Sequence, residues 1–302
     1  RIASIRGWMS ENNIDALIIP HEDEYLSEYI PPECERLEWA TGFSGSAGAA
    51  VILKNKAAIF VDGRYTVQVR NQVDESLLEY KHLVSEPYLK WIQENTKNGC
   101  KVGYDPRLHR ANWVKSAKKT LGEKLNLVSI SENPIDLYWH EKPEAKCEEA
   151  LLLDQKFTGK SSADKRNEIA TTLKSENVDA AFLTQLDSIA WLLNIRGTDV
   201  PCNPVLLCHA IMYKDASVDL FINMDKIPDG FESHVGHGVN VLASSEIKNQ
   251  ISKLRGKKVL YNSTGSNAYF AQLLTGVGAK VVNGNDPCVL PKVCKNDIEL
   301  EG

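Results

Sequence analysis

The 302-residue sequence has no apolar stretch that approaches the roughly 18 residues of a membrane-spanning helix, and its first residues lack the pattern of a signal peptide. It has no long basic run, and its net charge of −5 argues against binding to nucleic acid or to an anionic membrane surface. Its seven cysteines include no C-x-x-C pair, so neither a disulfide framework nor a zinc finger is expected. We therefore expect a cytoplasmic protein with reduced thiols that binds neither nucleic acid nor membrane.

The composition is that of an ordinary globular protein, with 43% apolar and 25% charged residues. At roughly 150 residues per domain, the length predicts two domains. Several predicted strands of the first half are apolar on both faces, as expected when helices cover both sides of a sheet. Two of them, 49–53 and 57–61, are separated by three polar residues and predict a hairpin. The predicted fold class is therefore α/β, with a mixed sheet flanked by helices.

A charged segment without a strand period interrupts the chain between its two halves. Just after it, Ser161 and Asp164 have the spacing of a capping box, which predicts that a helix begins near Ser162. The predicted organisation is a first domain at 1–139, a linker at 140–160, a second domain at 161–291, and the start of a further helix at 292–302. Because that last segment is short and the chain opens on Arg1, we expect the sequence to be part of a longer protein.

The second half repeats landmarks of the first in the same order, which predicts two copies of one α/β unit. Two helix-opening asparagines, Asn112 and Asn267, are among these landmarks. The other matched pairs are Asn13-Ile14-Asp15-Ala16 with Asn177-Val178-Asp179-Ala180, Trp39 with Trp191, Ile59-Phe60-Val61 with Leu220-Phe221-Ile222, Lys101–Tyr104 with Lys258–Tyr261, and Asn133-Pro134 with Asp286-Pro287.

The familiar catalytic and phosphate-binding motifs are incomplete in this sequence. Gly159-Lys160-Ser161 lacks the first glycine of a P-loop, because Asp154 stands in its place. The glycine-rich segment 42–48 matches neither G-x-G-x-x-G nor G-x-S-x-G, and we interpret it as a turn that leads into a buried strand. His234 and His237 are interpreted as solvated loop histidines rather than metal ligands, and segment 21–24 as a hydrated loop.

Six segments carry a more specific pattern. They resemble the amino-terminal domains of the aminopeptidase P (Xaa-Pro aminopeptidase) family, in its cytosolic three-domain form, and the resemblance covers essentially the whole chain. The segments are Trp39–Gly48, Val61–Tyr65, Val102–Pro106, Phe157–Gly159, Asp187–Val205 and Lys295-Asn296 with Glu299.

The resemblance implies two creatinase-like amino-terminal domains in tandem, without the carboxy-terminal pita-bread domain that holds the catalytic residues. In the family that domain removes an amino-terminal residue from peptides with proline in second position. There two Asp, one His and two Glu hold a pair of divalent metals, usually manganese. We therefore expect no catalytic residue, metal ligand or cofactor in this chain, and expect it to be inert alone. Its expected partners are the Xaa-Pro peptide, its own catalytic domain and a second copy in a homodimer.

Three residues are candidates for substrate binding or positioning. The resemblance associates Arg64 with peptide contact, and its guanidinium offers a planar fork of donors to a carbonyl or carboxylate. The alternative for Arg64 is an internal ion pair with Asp62. The weaker candidates are Arg196 and Asp199, in a loop that Pro201 and Pro204 stiffen, where an ion pair between the two is the simpler explanation.

Two other functions stay open from the residues. One is a non-catalytic, peptidase-like module that binds proteins. The other is a small-molecule binder that uses the glycine-rich turn at 42–48.

Overall fold

The computed structural model describes residues 1–301. The chain divides into two compact units: unit 1 contains Arg1–Glu24 and Pro32–Glu144, and unit 2 contains Tyr25–Pro31 and the chain from Ala145 onward. The boundary near Glu144 falls inside the segment 140–160 that the sequence predicts as a linker. Part of that segment forms a short strand and a short helix of unit 2.

Unit 1 alternates helices and strands. Its elements are α1 (Ile2–Glu11), β1 (Ala16–Pro20), α2 (Arg36–Thr41), β2 (Gly48–Leu53), β3 (Ala57–Val61), α3 (Thr66–Gln72), β4 (Glu79–His82), α4 (Tyr88–Asn95), β5 (Lys101–Tyr104), α5 (Ala111–Leu121), β6 (Asn126–Ser129) and α6 (Pro134–Tyr138).

The strands of unit 1 form one mixed sheet in the order β4-β3-β2-β1-β5-β6. Strand β2 runs antiparallel to both of its neighbours, and the other adjacent pairs are parallel. The predicted hairpin between β2 and β3 is confirmed, with Ala50 opposite Ile59. After β1 the chain continues toward the β4 edge of the sheet, and after β5 it continues toward the β6 edge.

Both faces of this sheet are covered, because side chains of a strand point alternately to opposite faces. Leu17 and Ile19 of β1 pack with α1 in one buried cluster. Ile18 packs in a second cluster with Trp91 and Ile92 of α4. The strands that are apolar on both faces are therefore explained by two layers of helices around one sheet.

Unit 2 has the same alternation with two additional short strands. Its elements are β7 (Leu151–Leu152), α7 (Gln155–Thr158), α8 (Ser162–Ser175), β8 (Ala180–Leu183), α9 (Leu186–Leu193), β9 (Ile195–Arg196), β10 (His209–Tyr213), β11 (Val218–Ile222), α10 (Phe231–Val235), β12 (Val239–Ala243), α11 (Ile247–Ser252), β13 (Lys258–Tyr261), α12 (Ala268–Gly276), β14 (Lys280–Asn283), α13 (Val289–Val293) and α14 (Asp297–Glu301).

The main sheet of unit 2 repeats the sheet of unit 1. Its order is β12-β11-β10-β8-β13-β14, and each adjacent pair has the same parallel or antiparallel sense as its counterpart in unit 1. The predicted repeat and the predicted fold class of mixed sheets flanked by helices are confirmed. The predicted capping box is also present, with the Ser161 Oγ accepting from the Asp164 backbone N–H at 3.1 Å.

The repeated Asn-x-Asp motif has the same geometry in both units. Asn13 and Asn177 have φ of 53° and 54°, the left-handed conformation that ends a helix and that asparagine tolerates. Two residues later, Asp15 accepts the backbone N–H of Lys101 at 2.8 Å, and Asp179 accepts that of Lys258 at 2.9 Å. The motif therefore joins the end of a helix to the first residue of the neighbouring parallel strand.

One predicted correspondence is wrong in detail. Asn267 caps α12 by accepting the backbone N–H of Phe270 at 3.2 Å. Asn112 lies inside α5, whose N-cap is Arg110 and makes no side-chain capping hydrogen bond. The cap position is set by the extended backbone of Arg110, and not by the nearest residue of capping type.

The segment 21–24 is not the hydrated loop that we expected. His21 lies 3.2 Å from a carboxylate oxygen of Glu35, and its side chain is only 8% exposed. Glu22 pairs with Arg110 at 2.8 Å and Glu24 with the buried Arg36 at 2.5 Å. Ion pairs with other parts of unit 1 allow this charged segment to be partly buried.

No helix within residues 1–301 is long and apolar enough to cross a bilayer.

A neutral histidine is buried in unit 2. Rings of Tyr25 and Phe270 lie with centroids 4.7 Å from that of His209, and Phe182 lies at 6.3 Å. The His209 Nε2 has no hydrogen-bond partner in the described chain. Burial lowers the pKa of His209 to about 3, so its imidazole is uncharged at neutral pH.

His209 should therefore make unit 2 sensitive to acid. Below about pH 6.5 the exposed imidazole of the unfolded chain binds a proton. In the folded chain the buried imidazole of His209 binds a proton only near pH 3. The free energy of unfolding should fall by about 1.4 kcal/mol for each pH unit in that window. We expect His209→Phe, which keeps an aromatic ring, to lose less stability between pH 7 and pH 5 than the unsubstituted chain in urea unfolding.

The exposed His237 of the same unit provides the control, because His237→Gln should leave the pH dependence unchanged. An equal loss of stability in His209→Phe and in the unsubstituted chain would contradict the assignment of this acid sensitivity to His209.

Candidate functional site

Arg64 lies in a 3₁₀ turn, Gly63–Tyr65, directly after β3. Asp62 is the N-cap of this turn and accepts the backbone N–H of Arg64 at 2.9 Å. The same carboxylate accepts from the Arg64 Nε at 3.2 Å and from its Nη2 at 2.7 Å. The ion pair with Asp62, which we set beside peptide contact as the alternative, is therefore present.

The pairing holds Arg64 without burying it. The Arg64 side chain is 67% exposed, against 22% for Asp62. The hydrogen bonds from Arg64 lower the pKa of Asp62, so the carboxylate stays charged well into the acidic range. The Arg64 Nη1 makes no hydrogen bond within residues 1–301, so the guanidinium keeps donors for another molecule.

The glycine-rich turn supports this arginine through Tyr65. The Arg64 guanidinium carbon lies 5.0 Å from the centre of the Tyr65 ring. The Tyr65 hydroxyl and the Ser46 hydroxyl are 2.6 Å apart. Phe43 meets the Tyr65 ring edge-on with a centroid distance of 5.7 Å. Sequence reasoning missed Tyr65 and Ser46 as supports, although both lie in segments that carry the family resemblance.

The glycines in this turn have structural reasons. Gly42 ends α2 with φ of +84°. A Cβ at Gly45 would lie 2.2 Å from the Phe43 Cζ, so only glycine allows the backbone to pass over that ring. The interpretation of 42–48 as a turn that leads into the buried strand β2 is confirmed.

Arg196, in β9 of unit 2, donates its hydrogen bonds to nearby backbone carbonyls. Its Nη1 donates to the carbonyls of Ile195 at 2.8 Å and Ala190 at 3.2 Å. Its side chain is half-buried, and burial lowers its pKa. Arg196 therefore supports the end of helix α9.

Asp199 is paired with Lys226 and not with Arg196. The predicted ion pair between Arg196 and Asp199 is therefore wrong. The Lys226 Nζ lies 2.5 Å from the Asp199 Oδ2, and both side chains are almost fully buried. The same oxygen accepts the backbone N–H of Leu207 at 2.7 Å. Lys226 lies 27 positions away along the chain, which is why local spacing pointed to the nearer Arg196.

Residues near the end of the chain assemble around Gly159. The Asn296 amide donates to the Thr158 carbonyl at 2.9 Å, and a Cβ at Gly159 would lie 2.5 Å from the Asn296 Oδ1. Glu299 donates its backbone N–H to the same Asn296 oxygen at 3.0 Å. Two segments that the resemblance singled out separately, 157–159 and 295–299, are therefore in contact within unit 2.

A buried lysine lies beside this contact. The Lys165 Nζ donates to the Asn194 Oδ1 at 2.8 Å and to the Trp191 carbonyl at 3.1 Å. The Glu299 carboxylate lies 3.8 Å away. Burial lowers the pKa of Lys165 to about 8. These contacts connect α8, α9 and the last helix of the described chain.

Within residues 1–301, no group of three or more His, Cys, Asp or Glu side chains is placed to hold a metal ion. Of the two histidines we interpreted as solvated, His237 is exposed. His234 is half-buried, and its Nε2 lies 3.0 Å from the Asn194 carbonyl.

Two family models for the creatinase/prolidase N-terminal domain match this chain, one over residues 1–136 and the other over residues 141–299. The chain belongs to the creatinase/prolidase N-terminal domain family. The family resemblance seen in the sequence is confirmed, and each unit corresponds to one copy of the creatinase/prolidase N-terminal domain.

Relatives of this tandem pair include proteins described as probable Xaa-Pro aminopeptidase P. The protein of Aspergillus clavatus is 34% identical over 316 residues, which cover 100% of this chain and 48% of the relative. That of Penicillium rubens is 32% identical over 313 residues, with 100% and 51% coverage. The chain therefore spans about half the length of the curated relatives that it matches.

A solved structure is similar to this chain over almost its whole length. It is the X-prolyl aminopeptidase of Caenorhabditis elegans, described as a cytosolic enzyme with a di-nuclear active site. The likeness has a TM-score of 0.90 at 25% sequence identity, and it covers 99% of this chain and 52% of that one.

The buried pair of Asp199 and Lys226 gives a stability prediction. We expect Lys226→Met to cost about 3–5 kcal/mol of unfolding free energy, because it leaves a buried carboxylate without its cation. The double variant Asp199→Asn with Lys226→Met should lose less, because no buried charge is left unpaired. Urea unfolding of both variants measures the difference.

The exposed pair of Lys156 and Asp154, 3.8 Å apart, is the control, and Lys156→Met should change stability by less than about 1 kcal/mol. If Lys226→Met proved as stable as that control, the buried ion pair would have no structural importance.

Proposed function

We propose that this chain is the amino-terminal, non-catalytic portion of a metal-dependent Xaa-Pro aminopeptidase, a hydrolase that removes the first residue from peptides with proline second. The observation that carries this proposal is coverage: relatives described as Xaa-Pro aminopeptidase P match 100% of the chain over both domains. The chain covers 52% of the C. elegans enzyme, which leaves a little under half of that protein for a catalytic domain.

The chemistry is assigned to that further domain. The C. elegans relative is described as having a di-nuclear active site. We propose two divalent metals, manganese by family resemblance, in the whole protein. Such a pair supplies an activated water and polarises the scissile carbonyl. Since residues 1–301 hold no group of side chains suited to a metal, no step of the reaction is assigned to this chain.

The contribution proposed for unit 1 is to position the peptide through Arg64. Its guanidinium is exposed, is oriented by the hydrogen bonds that Nε and Nη2 donate to Asp62, and keeps free donors on Nη1. A fork of this kind binds a peptide carbonyl or carboxylate with defined geometry. Asp62 acts as a positioning residue, because it orients the Arg64 guanidinium and does not itself contact the peptide.

The contribution proposed for unit 2 is structural. Arg196 and Asp199 enter the proposal as supports of the loop 196–205, because their contacts are made with backbone carbonyls and with Lys226. A stiff loop of this kind suits the wall of an entrance or a contact with the catalytic domain. Homodimer formation and a cytoplasmic location complete the proposal, the latter supported by the description of the C. elegans relative as cytosolic.

Substitution of Arg64 tests the proposed peptide contact. In the full-length enzyme, Arg64→Ala should lower kcat/KM for an Xaa-Pro peptide by roughly 10- to 100-fold, the loss expected for a hydrogen bond made by a charged group. The kcat/KM of Asp62→Asn should lie between those of Arg64→Ala and the unsubstituted enzyme, because the arginine remains but is less well oriented. Steady-state kinetics on one tripeptide substrate provide the comparison.

Arg70→Ala is the matched control, since Arg70 is an exposed arginine of α3 whose guanidinium lies 5.5 Å from the Tyr80 ring. Its kinetics should be unchanged. Unaltered KM and kcat in Arg64→Ala would remove Arg64 from the site.

The non-catalytic role has its own test. The purified 302-residue chain, with or without added manganese, should hydrolyse no Xaa-Pro peptide, while the full-length enzyme does so under the same conditions. Turnover by a clean preparation of the chain would overturn the assignment. Reading the coding sequence past Gly302 tests the alternative of a protein-binding module, because loss of the Asp, Asp, His, Glu and Glu ligands there would favour such a module.

A further inference from the structure

Unit 1 has a cavity of about 580 Å³ at the carboxyl ends of its central parallel strands. Pro20, His21 and Glu22 line it from the end of β1, and residues 108–110 line it after β5. The chain leaves β1 and β5 toward opposite sides of the sheet, which makes this crevice a topological switch point. Ligands of open α/β sheets bind at such points, and the volume is that of a small-molecule site.

One side of the cavity favours a carboxylate. Helix α5 starts here, and Asn112, Trp113 and Ser116 of its first two turns line the space. The N-cap Arg110 provides no side-chain hydrogen bond, so the first-turn N–H groups are available to an anion. The Arg110 guanidinium adds a positive charge at the same place.

The opposite charge is also present. The Glu22 carboxylate lies 2.8 Å from the Arg110 Nη1, and burial raises the pKa of Glu22. A simple anion that took the place of Glu22 at Arg110 would leave a partly desolvated carboxylate without a cation, which is costly. A ligand that carries both an ammonium and a carboxylate can satisfy both partners at once.

The wall between these groups is aromatic. Tyr88 and Trp113 line the cavity, with ring centroids 6.4 Å apart. His109 also lines it and is 5% exposed, and its Nδ1 lies 2.8 Å from the Asp105 carbonyl. Since a carbonyl only accepts, the proton of the neutral ring is on Nδ1. The Nε2 is then an acceptor, and it has no partner within residues 1–301.

We infer that this cavity of unit 1 binds a zwitterionic amino acid with an aromatic side chain. The carboxylate is bound by Arg110 and the start of α5, the ammonium by Glu22, and the ring by Trp113 and Tyr88. The inference does not depend on the proposed peptidase function, because it concerns residues of unit 1 alone.

A set of four probes tests the inference on the intact 302-residue chain. L-Phenylalanine carries all three recognised groups, 3-phenylpropionate lacks the ammonium, L-phenylalaninamide lacks the carboxylate and L-alanine lacks the ring. Titrations are followed by isothermal calorimetry and by the indole N–H resonance of Trp113, assigned by its loss in Trp113→Phe. We expect L-phenylalanine to bind with a Kd at or below about 1 mM, and each truncated probe at least about 10-fold more weakly.

Two variants locate the site. Arg110→Gln should weaken L-phenylalanine binding at least about 10-fold, because it removes the charged partner of the carboxylate. Lys118→Gln removes the same charge from the exposed far end of α5 and should leave the Kd unchanged.

The outcomes are decisive in both directions. Equal binding of L-phenylalanine and 3-phenylpropionate would show a plain anion site and overturn the inference. No shift of the Trp113 indole up to 10 mM ligand, or unchanged binding in Arg110→Gln, would also overturn it. Should Arg110→Gln fail to fold, the probe series on the unsubstituted chain still decides, because it needs no variant to compare the four molecules.

Discussion

Both units depend on one contact, in which an aspartate just after a helix accepts the backbone N–H of the first residue of the neighbouring parallel strand. In unit 1 it joins Asp15 to Lys101, and in unit 2 it joins Asp179 to Lys258. A charge-assisted hydrogen bond at the start of two parallel strands fixes which residues lie opposite each other. In unit 1 the loops that leave the carboxyl ends of β1 and β5 in opposite directions open a crevice between them.

The fold could be predicted because its determinants are local. Strands that are apolar on both faces require helices on both sides of the sheet, and three polar residues between two such strands suffice for a hairpin. The repeated Asn-x-Asp motif revealed the duplication because the same helix end and the same strand junction recur. Capping was predictable only in part: a capping residue acts when it precedes the helix, as Asn267 does, and Asn112 comes two positions too late.

Side-chain pairs could likewise be predicted only where the two partners are close in the sequence. Asp62 and Arg64 are two positions apart in one turn, so their pairing could be expected from spacing. The pairs of Lys226 with Asp199, Arg110 with Glu22 and Arg36 with Asp136 join residues 27, 88 and 100 positions apart. Such pairs form only after the fold has brought distant segments together. For this reason the segment 21–24 looked hydrated in the sequence although Arg36, Arg110 and Glu35 neutralise or bury it.

The two copies of the unit have diverged at the same turn. In unit 1 the 3₁₀ turn after β3 is capped by Asp62 and presents Arg64 to solvent. In unit 2 the matching turn after β11, Met224–Lys226, is capped by Asn223, and its lysine is buried against Asp199. A cation that is buried in an ion pair is inaccessible to another molecule, whereas an exposed and oriented one is accessible. The same scaffold therefore exposes an oriented cation in unit 1 and buries an ion pair in unit 2.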